Sequence, residues 1–342
     1  MTRSSSQEQL QKAKREAAKA FLKAPTVIAV GIGKKLKKGA ETTIDSVRIY
    51  VSRKCDRDQL PAAFKIPKSI LDVPTDVIPI GRPFRPITAP SMRRSGGRRV
   101  KLGASIGFAL PSHSPKAPGV AQHGGAADEL PANVSPVVSG RLGAIVEDAE
   151  GEKYVLSNNH VLAMNGRVPD GQAFASTVSA RSGGATIARR AGFIPLDPDG
   201  RNAVDCALAR LEAEADLPRK IQKAAKPKAG QEVVIVGQPG RTGRIVDVSA
   251  DLFIDYSFGS FRFVDQVLIE GDKDDFAKDG DSGGIVATND GLAVALIVAG
   301  AGRLTAACPL DKALRSLGVS LVTAPSASPP RHGHKSHSGR KK

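Results

Sequence analysis

Residues 279-DGDSGGIV-286 set one serine among glycines, with an aspartate just before it and an apolar run just after. A serine hydroxyl has a very high pKa and becomes a nucleophile only when a base removes its proton during attack. The base is a histidine or its equivalent, and that histidine needs an acceptor to fix its tautomer. Asp, Ser and Gly are also ordinary turn residues, so the stretch alone decides nothing. It also fits the G-x-S-x-G elbow, in which a strand turns sharply into a helix. That elbow requires a helix after the serine, then an acid, then a histidine. Here 285-IVATNDGLAVALIV-298 reads as two short strands around an Asn-Asp-Gly turn. The histidines after Ser282 are His332, His334 and His337, all in a polar tail. The elbow fails on context and on order.

The partners of Ser282 must lie before it. Between residues 136 and 324 there is one histidine, His160, in 154-YVLSNNHVLA-163. It follows an apolar strand and precedes an apolar pair, where a rigid scaffold can present a side chain. The acid candidate is Asp205, in 203-AVDCALARL-211, at the mouth of another apolar strand pattern.

The elements around these residues are short. Apolar or alternating segments recur at 142–148, 153–159, 204–211, 231–237, 244–256, 262–270, 283–288, 292–300 and 304–310, with turn residues between them. Many short strands with turn signals predict an all-β barrel or sandwich. A helix at 311–318 closes the unit, ending on Gly318. Ahead of it, 4–25 reads as an amphipathic basic helix, with a Ser5–Glu8 capping box and Leu10, Ala13, Ala17, Ala20 and Phe21 on one face. Strands at 26–35, 44–54 and 71–81 predict a small α+β unit, with a short helix or loop over 59–70 between the last two. Residues 82–135 are rich in Gly, Pro, Ser and Arg and read as a linker or covering loop. The expected organisation is a helix over 1–25, a basic α+β domain over 26–90, a linker over 91–135, a β domain over 136–324 and a disordered basic tail over 325–342.

Composition narrows the function. The chain has 342 residues and a net charge of +16, but residues 1–130 carry 24 Lys and Arg against 10 Asp and Glu. Residues 131–324 carry 21 against 24, so the serine-bearing part is nearly neutral. The front end therefore reads either as a site for a polyanion or an acidic partner or as a merely solvated basic surface, and neither reading involves the serine. Cys55, Cys206 and Cys308 have no metal or redox spacing and read as free thiols of a cytoplasmic protein. His113 and His123 read as surface residues, and the tail's HxHxxH as part of a basic tail rather than a metal site. No membrane-spanning run, secretory leader, Walker-type loop or dinucleotide fingerprint is seen, so no membrane association and no cofactor are expected.

Taken together, 157-SNNH-160, then 205-DCALARL-211, then 280-GDSGG-284 resemble the trypsin-like, chymotrypsin-fold serine peptidases. The second position of the middle motif, Cys206, is unusual. The front-end segments VIAVGIG, VRIYVSRK and VPTDVIPIG, with 240-GRTG-243, resemble more narrowly a bacterial and plant group that includes the narrow-leaf-type trypsin-like peptidases. The resemblance implies a mainly β fold with two six-stranded barrels after the small α+β domain. It implies a serine endopeptidase acting on protein or peptide substrates through an acyl-enzyme, with Ser282 as nucleophile, His160 as general base and acid, and Asp205 as its orienting carboxylate. The backbone N–H groups of Gly280 and Ser282 would form the oxyanion hole. Phe276 would line the base of the specificity pocket, suiting a small-to-apolar residue, and Val298, Ala299 and Gly300 would pair with the substrate backbone. Asp281 would hold the serine loop; digestive relatives use a freed N-terminus for this, and no such site is evident here. Because fold is not function, a second reading is a catalytically silent binding module with a basic recruitment domain. A third is a peptidase kept latent by its N-terminal domain or by the 82–135 loop.

Overall fold

Apolar residues three and four apart at the front of the chain form a helix, α1 (Arg3–Phe21). Ala13, Ala17, Ala18, Phe21 and Leu22 are buried, whereas Ala20 faces solvent. The helix begins ahead of Ser5, so Ser5 lies within the first turn and not at the cap expected for it. Lys14, which is not among the apolar-face residues read from the sequence, is only 2% exposed. Its Nζ donates to Asp251 Oδ1 at 2.6 Å, the Ser249 carbonyl at 2.7 Å and Asp265 Oδ1 at 3.3 Å. A buried ammonium is tolerated only when its donors are met in this way.

The chain continues into a hairpin, β1 (Val27–Lys37) and β2 (Ala40–Val51), then β3 (Ser69–Ile70) and β4 (Val73–Pro79). The hairpin turns on Lys38 and Gly39, both at positive φ, as a two-residue loop of matching twist requires. β4 lies parallel to β2. Two glycines of the VGIG run have steric reasons. A Cβ on Gly31 would collide with the Asp247 carboxylate, and one on Gly33 with the Arg48 guanidinium. The computed structural model describes residues 3–56, 60–61, 64–87, 99–109, 137–175, 186–217 and 221–323; His113, His123 and the tail from 325 lie outside them.

Among its described residues, the 82–135 stretch, poor in periodicity, has three short strands: β5 (Arg85–Pro86), β6 (Arg99–Lys101) and β7 (Ser105–Ala109). β7 pairs with β8 (Val137–Arg141). Next come β9 (Ala144–Glu147), β10 (Lys153–Ser157), the one-turn helix α2 (Asn159–Leu162), β11 (Ala173–Phe174), β12 (Ala188–Phe193) and β13 (Ala207–Leu211). β9 to β13 and a late strand at Ser320–Leu321 form a six-stranded sheet with β10 and β13 at its centre. β14 (Glu214–Asp216) pairs with β6, and β15 (Lys223–Ala224) flanks the second sheet.

That second sheet is built from β16 (Glu232–Ile235), β17 (Thr242–Tyr256), β18 (Gly259–Gly271), β19 (Ile285–Thr288), β20 (Leu292–Ala301) and β21 (Leu304–Pro309). They pair in the order β16-β19-β20-β21-β18-β17, and β17 returns to β16, so six strands close into a barrel without an open edge. Helix α3 (Leu310–Leu317) ends on Gly318 in the left-handed region at φ 69°, and β22 is the Ser320–Leu321 strand. The mainly β architecture expected from the strand spacing is what the chain adopts. The front end does not stand apart from it. β1 pairs with β17 through Ala29 opposite Leu252 and Val30 opposite Asp251, so β1, β2, β4 and β3 extend the barrel's sheet.

Candidate functional site

His160 and Asp205 come from neighbouring strands of the six-stranded sheet. β10 leads into α2, which carries His160, and Asp205 stands two residues before β13, the partner of β10. Both are buried, and His160 Nδ1 lies 2.5 Å from Asp205 Oδ2. The backbone N–H of His160 donates to Asp205 Oδ1 at 3.2 Å. Asn158 Nδ2 donates to the Asp205 carbonyl at 2.8 Å, and Asn159 Nδ2 to the Ile194 carbonyl at 2.7 Å, so both asparagines of SNNH hold the turn. A carboxylate placed against Nδ1 makes that nitrogen the donor and leaves the lone pair on Nε2. His160 Nε2 is buried and meets no hydrogen-bond partner among the described residues.

Sequence reasoning missed Tyr256, at the end of β17. Its hydroxyl donates to Asp205 Oδ2 at 2.7 Å, and its ring lies 5.3 Å from the His160 imidazole. Burial, then the adjacent Asp205 charge, push its phenol well above the usual tyrosine range, so it stays a donor. Two carboxylate oxygens thus meet three donors, which is what a buried charge requires.

Ser282 belongs to the second sheet, in the tight loop before β19, and is fully buried. The two halves of the site meet at Gly140: a Cβ there would collide with both the Ser282 carbonyl and Val161, the residue after His160. Gly280 and Gly283 take φ of 89° and 85°, and a Cβ on Gly283 would collide with Ser157 Oγ. Those two positions are why the loop needs glycine. Asp281, whose partner the sequence left open, is clamped by two arginines. Arg141 Nη2 donates to Oδ1 at 2.8 Å and Arg241 Nη1 to Oδ2 at 3.3 Å, while the Lys278 N–H donates to Oδ2 at 2.9 Å. Arg241 is the arginine of the 240-GRTG-243 segment. Its signal was present as a motif without a role.

The remaining site residues converge on β5 and Ile87 just after it. The N–H of Gly280 and the N–H of Ser282 both donate to the carbonyl of Ile87, at 2.9 and 3.2 Å. The Ile87 N–H donates to Ser282 Oγ at 3.1 Å, and that hydroxyl donates to the Val298 carbonyl at 3.2 Å. Ala299 and Gly300 pair antiparallel with Pro86 and Arg85. Phe276 and Ile87 share one buried apolar cluster with Val294 and Ile297. The cysteines are free; Cys206 and Cys308 are buried, and burial pushes both thiols up, Cys308 to about 12. Among the described residues no group of His, Cys, Asp or Glu is arranged to hold a metal, and no helix is long and apolar enough to cross a membrane.

An imidazole fixed by a carboxylate, together with a serine whose loop aims paired N–H donors at a carbonyl, offers the groups that acyl transfer uses. Residues 142–296, which hold all three side chains, match the trypsin-like peptidase domain family. Similar solved structures are Thermobifida fusca protease A (16% identity, 66% of this chain and 100% of that chain, TM-score 0.42), Nocardiopsis protease (14%, 66% and 100%, 0.42) and a Cellulomonas bogoriensis chymotrypsin (18%, 54% and 91%, 0.37). No curated protein matches the sequence.

Proposed function

We propose that the chain is a serine endopeptidase that cleaves peptide bonds through an acyl-enzyme on Ser282, and that its N-terminal region keeps it latent. The observation that carries this reading is the convergence of the Gly280 and Ser282 N–H groups on one peptide carbonyl beside the Ser282 hydroxyl. His160 Nε2 accepts the serine proton during attack and returns it to the leaving amine, while Asp205 stabilises the imidazolium. Each backbone donor to the developing oxyanion contributes roughly 3–4 kcal/mol. The Arg141 and Arg241 clamp on Asp281 does the work that a freed N-terminus does elsewhere, so the serine loop is formed without processing. Membership of the narrow-leaf-type group, which the front-end segments resemble, a reducing cytoplasmic setting and a polyanionic partner for the basic front end belong to the same reading. Polyanion binding there would weaken steeply with salt.

A specific observation favours the silent module as a second reading: Ser282 Oγ bonds to Val298 and not to His160. A fluorophosphonate probe separates the two. Full-length protein, Ser282→Ala and a chain starting near residue 133 are labelled side by side. Label on the full chain that disappears in Ser282→Ala establishes the nucleophile, and faster label on the shortened chain establishes latency. No label on any folded form would leave the binding module.

A further inference from the structure

The occupant of the cleft is a piece of this chain. From Ile87 back to Phe84 it lies as an extended peptide, paired with β20 through Arg85 and Pro86 and with the end of β17 through Phe84. Ile87 presents its carbonyl to both loop donors, Pro86 stands opposite Ala299, and Arg85 stands opposite Gly300. Phe84 is fully buried, and its carbonyl accepts from the Asp255 N–H at 3.3 Å. The Ile87 side chain is 4% exposed in an apolar pocket. One wall is Gly300, where a Cβ would stand 3.0 Å from Ile87 Cδ1. A structural strand needs neither a carbonyl aimed at paired donors nor a serine hydroxyl hydrogen-bonded to the same residue. A peptide about to acylate a serine needs its carbonyl in such donors and the hydroxyl close to the same residue.

Resting on the peptidase reading above, we infer that the bond between Ile87 and Thr88 is the chain's own first substrate. By the same geometry, the substrate class is a peptide with a branched aliphatic residue on the acyl side of the cut, preceded by proline. Ser282 Oγ now bridges the Ile87 N–H and the Val298 carbonyl. It turns about its Cα–Cβ bond toward His160 Nε2, the buried atom with no partner. Oγ then bonds to the Ile87 carbonyl carbon, its proton passes to Nε2, and the negative charge rests on the Ile87 oxygen between the Gly280 and Ser282 donors. The carbon–nitrogen bond to Thr88 breaks, and the departing nitrogen takes the proton from Nε2. Water, activated by the same imidazole, hydrolyses the ester. It leaves a carboxylate on Ile87, an amine on Thr88 and a restored Ser282. The occupant, held by the chain at both ends before the cut, is then held at one.

The test follows the intact mass of purified full-length protein with time, with N-terminal sequencing of any new fragment and a fluorophosphonate reaction in parallel. The expected result is fragments 1–87 and 88–342 from the wild type. Ser282→Ala should stay whole, and so should Thr88→Pro, which changes only the leaving amide and keeps Phe84–Ile87. Ile87→Lys should slow the cut at least about tenfold, and a Phe-Arg-Pro-Ile nitroanilide should be hydrolysed at least about tenfold faster than its Lys counterpart, the scale set by pocket discrimination. A wild type whose Ser282 takes the probe while the 87–88 bond stays whole overturns self-cleavage and leaves the peptidase reading standing. Cutting that persists in Ser282→Ala overturns it as well. A folded protein that is neither labelled nor cut overturns the peptidase reading, and this inference with it.

Discussion

Phe84→Ala tests whether the 84–87 segment governs access to Ser282. Phe84 is fully buried in the main core cluster, against residues of the barrel. Truncating a buried Phe costs about 3–5 kcal/mol. Its ring packs the segment onto the barrel, and that packing is already broken when the segment lifts away. The cost therefore falls on the docked state. At 1.4 kcal/mol per tenfold, 3 kcal/mol raises the lifted population about a hundredfold. A probe that reaches Ser282 only in the lifted state reports that population as its labelling rate. The assay is the pseudo-first-order rate of fluorophosphonate labelling, with Phe84→Ala in a Ser282→Ala background as the blank. A melting curve on each protein confirms that it is folded. A folded Phe84→Ala whose labelling rate stays within about threefold of wild type would refute this gating, because the hundredfold follows from burial and docking alone.

Four other outcomes are expected. Tyr256→Phe removes the 2.7 Å bond to Asp205; a hydrogen bond to a charged group contributes about 1.5–3 kcal/mol, so peptide nitroanilide hydrolysis should fall at least about tenfold. An unchanged rate would take Tyr256 out of the site. Asp281→Ala leaves Arg141 and Arg241 facing an empty position; breaking such a pair costs about 3–5 kcal/mol, so the melting temperature and Ser282 labelling should fall together. Burial raises the Asp247 carboxyl from 3.8 to about 6. The folded state then binds the proton more tightly than the unfolded one, so this group favours folding most below about pH 4. That contribution, about 3 kcal/mol at 1.4 per unit, is lost as pH rises to 6. The difference in unfolding free energy between wild type and Asp247→Asn should follow that curve, and a flat difference would refute it. Iodoacetamide at neutral pH should modify Cys55 and spare Cys206 and Cys308, read by mass.

The parts of the site that were legible in the sequence are those bound to local pattern. One histidine among the strands of residues 136–324, one aspartate at a strand mouth and one glycine-bracketed serine left few assignments to choose from. The barrel strands showed because their apolar runs are bounded by turn residues. What stayed hidden depends on partners far apart in the chain. Asp281 meets Arg141 across 140 residues and Arg241 across 40, and Tyr256 meets Asp205 across 51. No periodicity carries such distances. The burial of Lys14 could not be read locally, because its three partners lie more than 230 residues away. The VGIG glycines were visible, but their reason, room for the Asp247 and Arg48 side chains, needs the fold.

The 82–135 stretch was hardest to read for a reason that bears on its use. Residues 82-RPFRPI-87 hold two prolines, which deter a strand assignment because proline donates no backbone hydrogen bond. An edge position tolerates that loss, and β5 is an edge strand that pairs, among the described residues, with β20. Proline also fixes φ before docking, so Pro83 and Pro86 reduce the conformational entropy that the segment loses on entering the cleft. A ladder of two residue pairs is too short to hold a flexible peptide. Here it is supplemented by a buried Phe84, a buried Ile87 and a carbonyl shared by two donors. The residues that disqualified the segment as an ordinary strand are those that let so short a piece of chain fill the cleft.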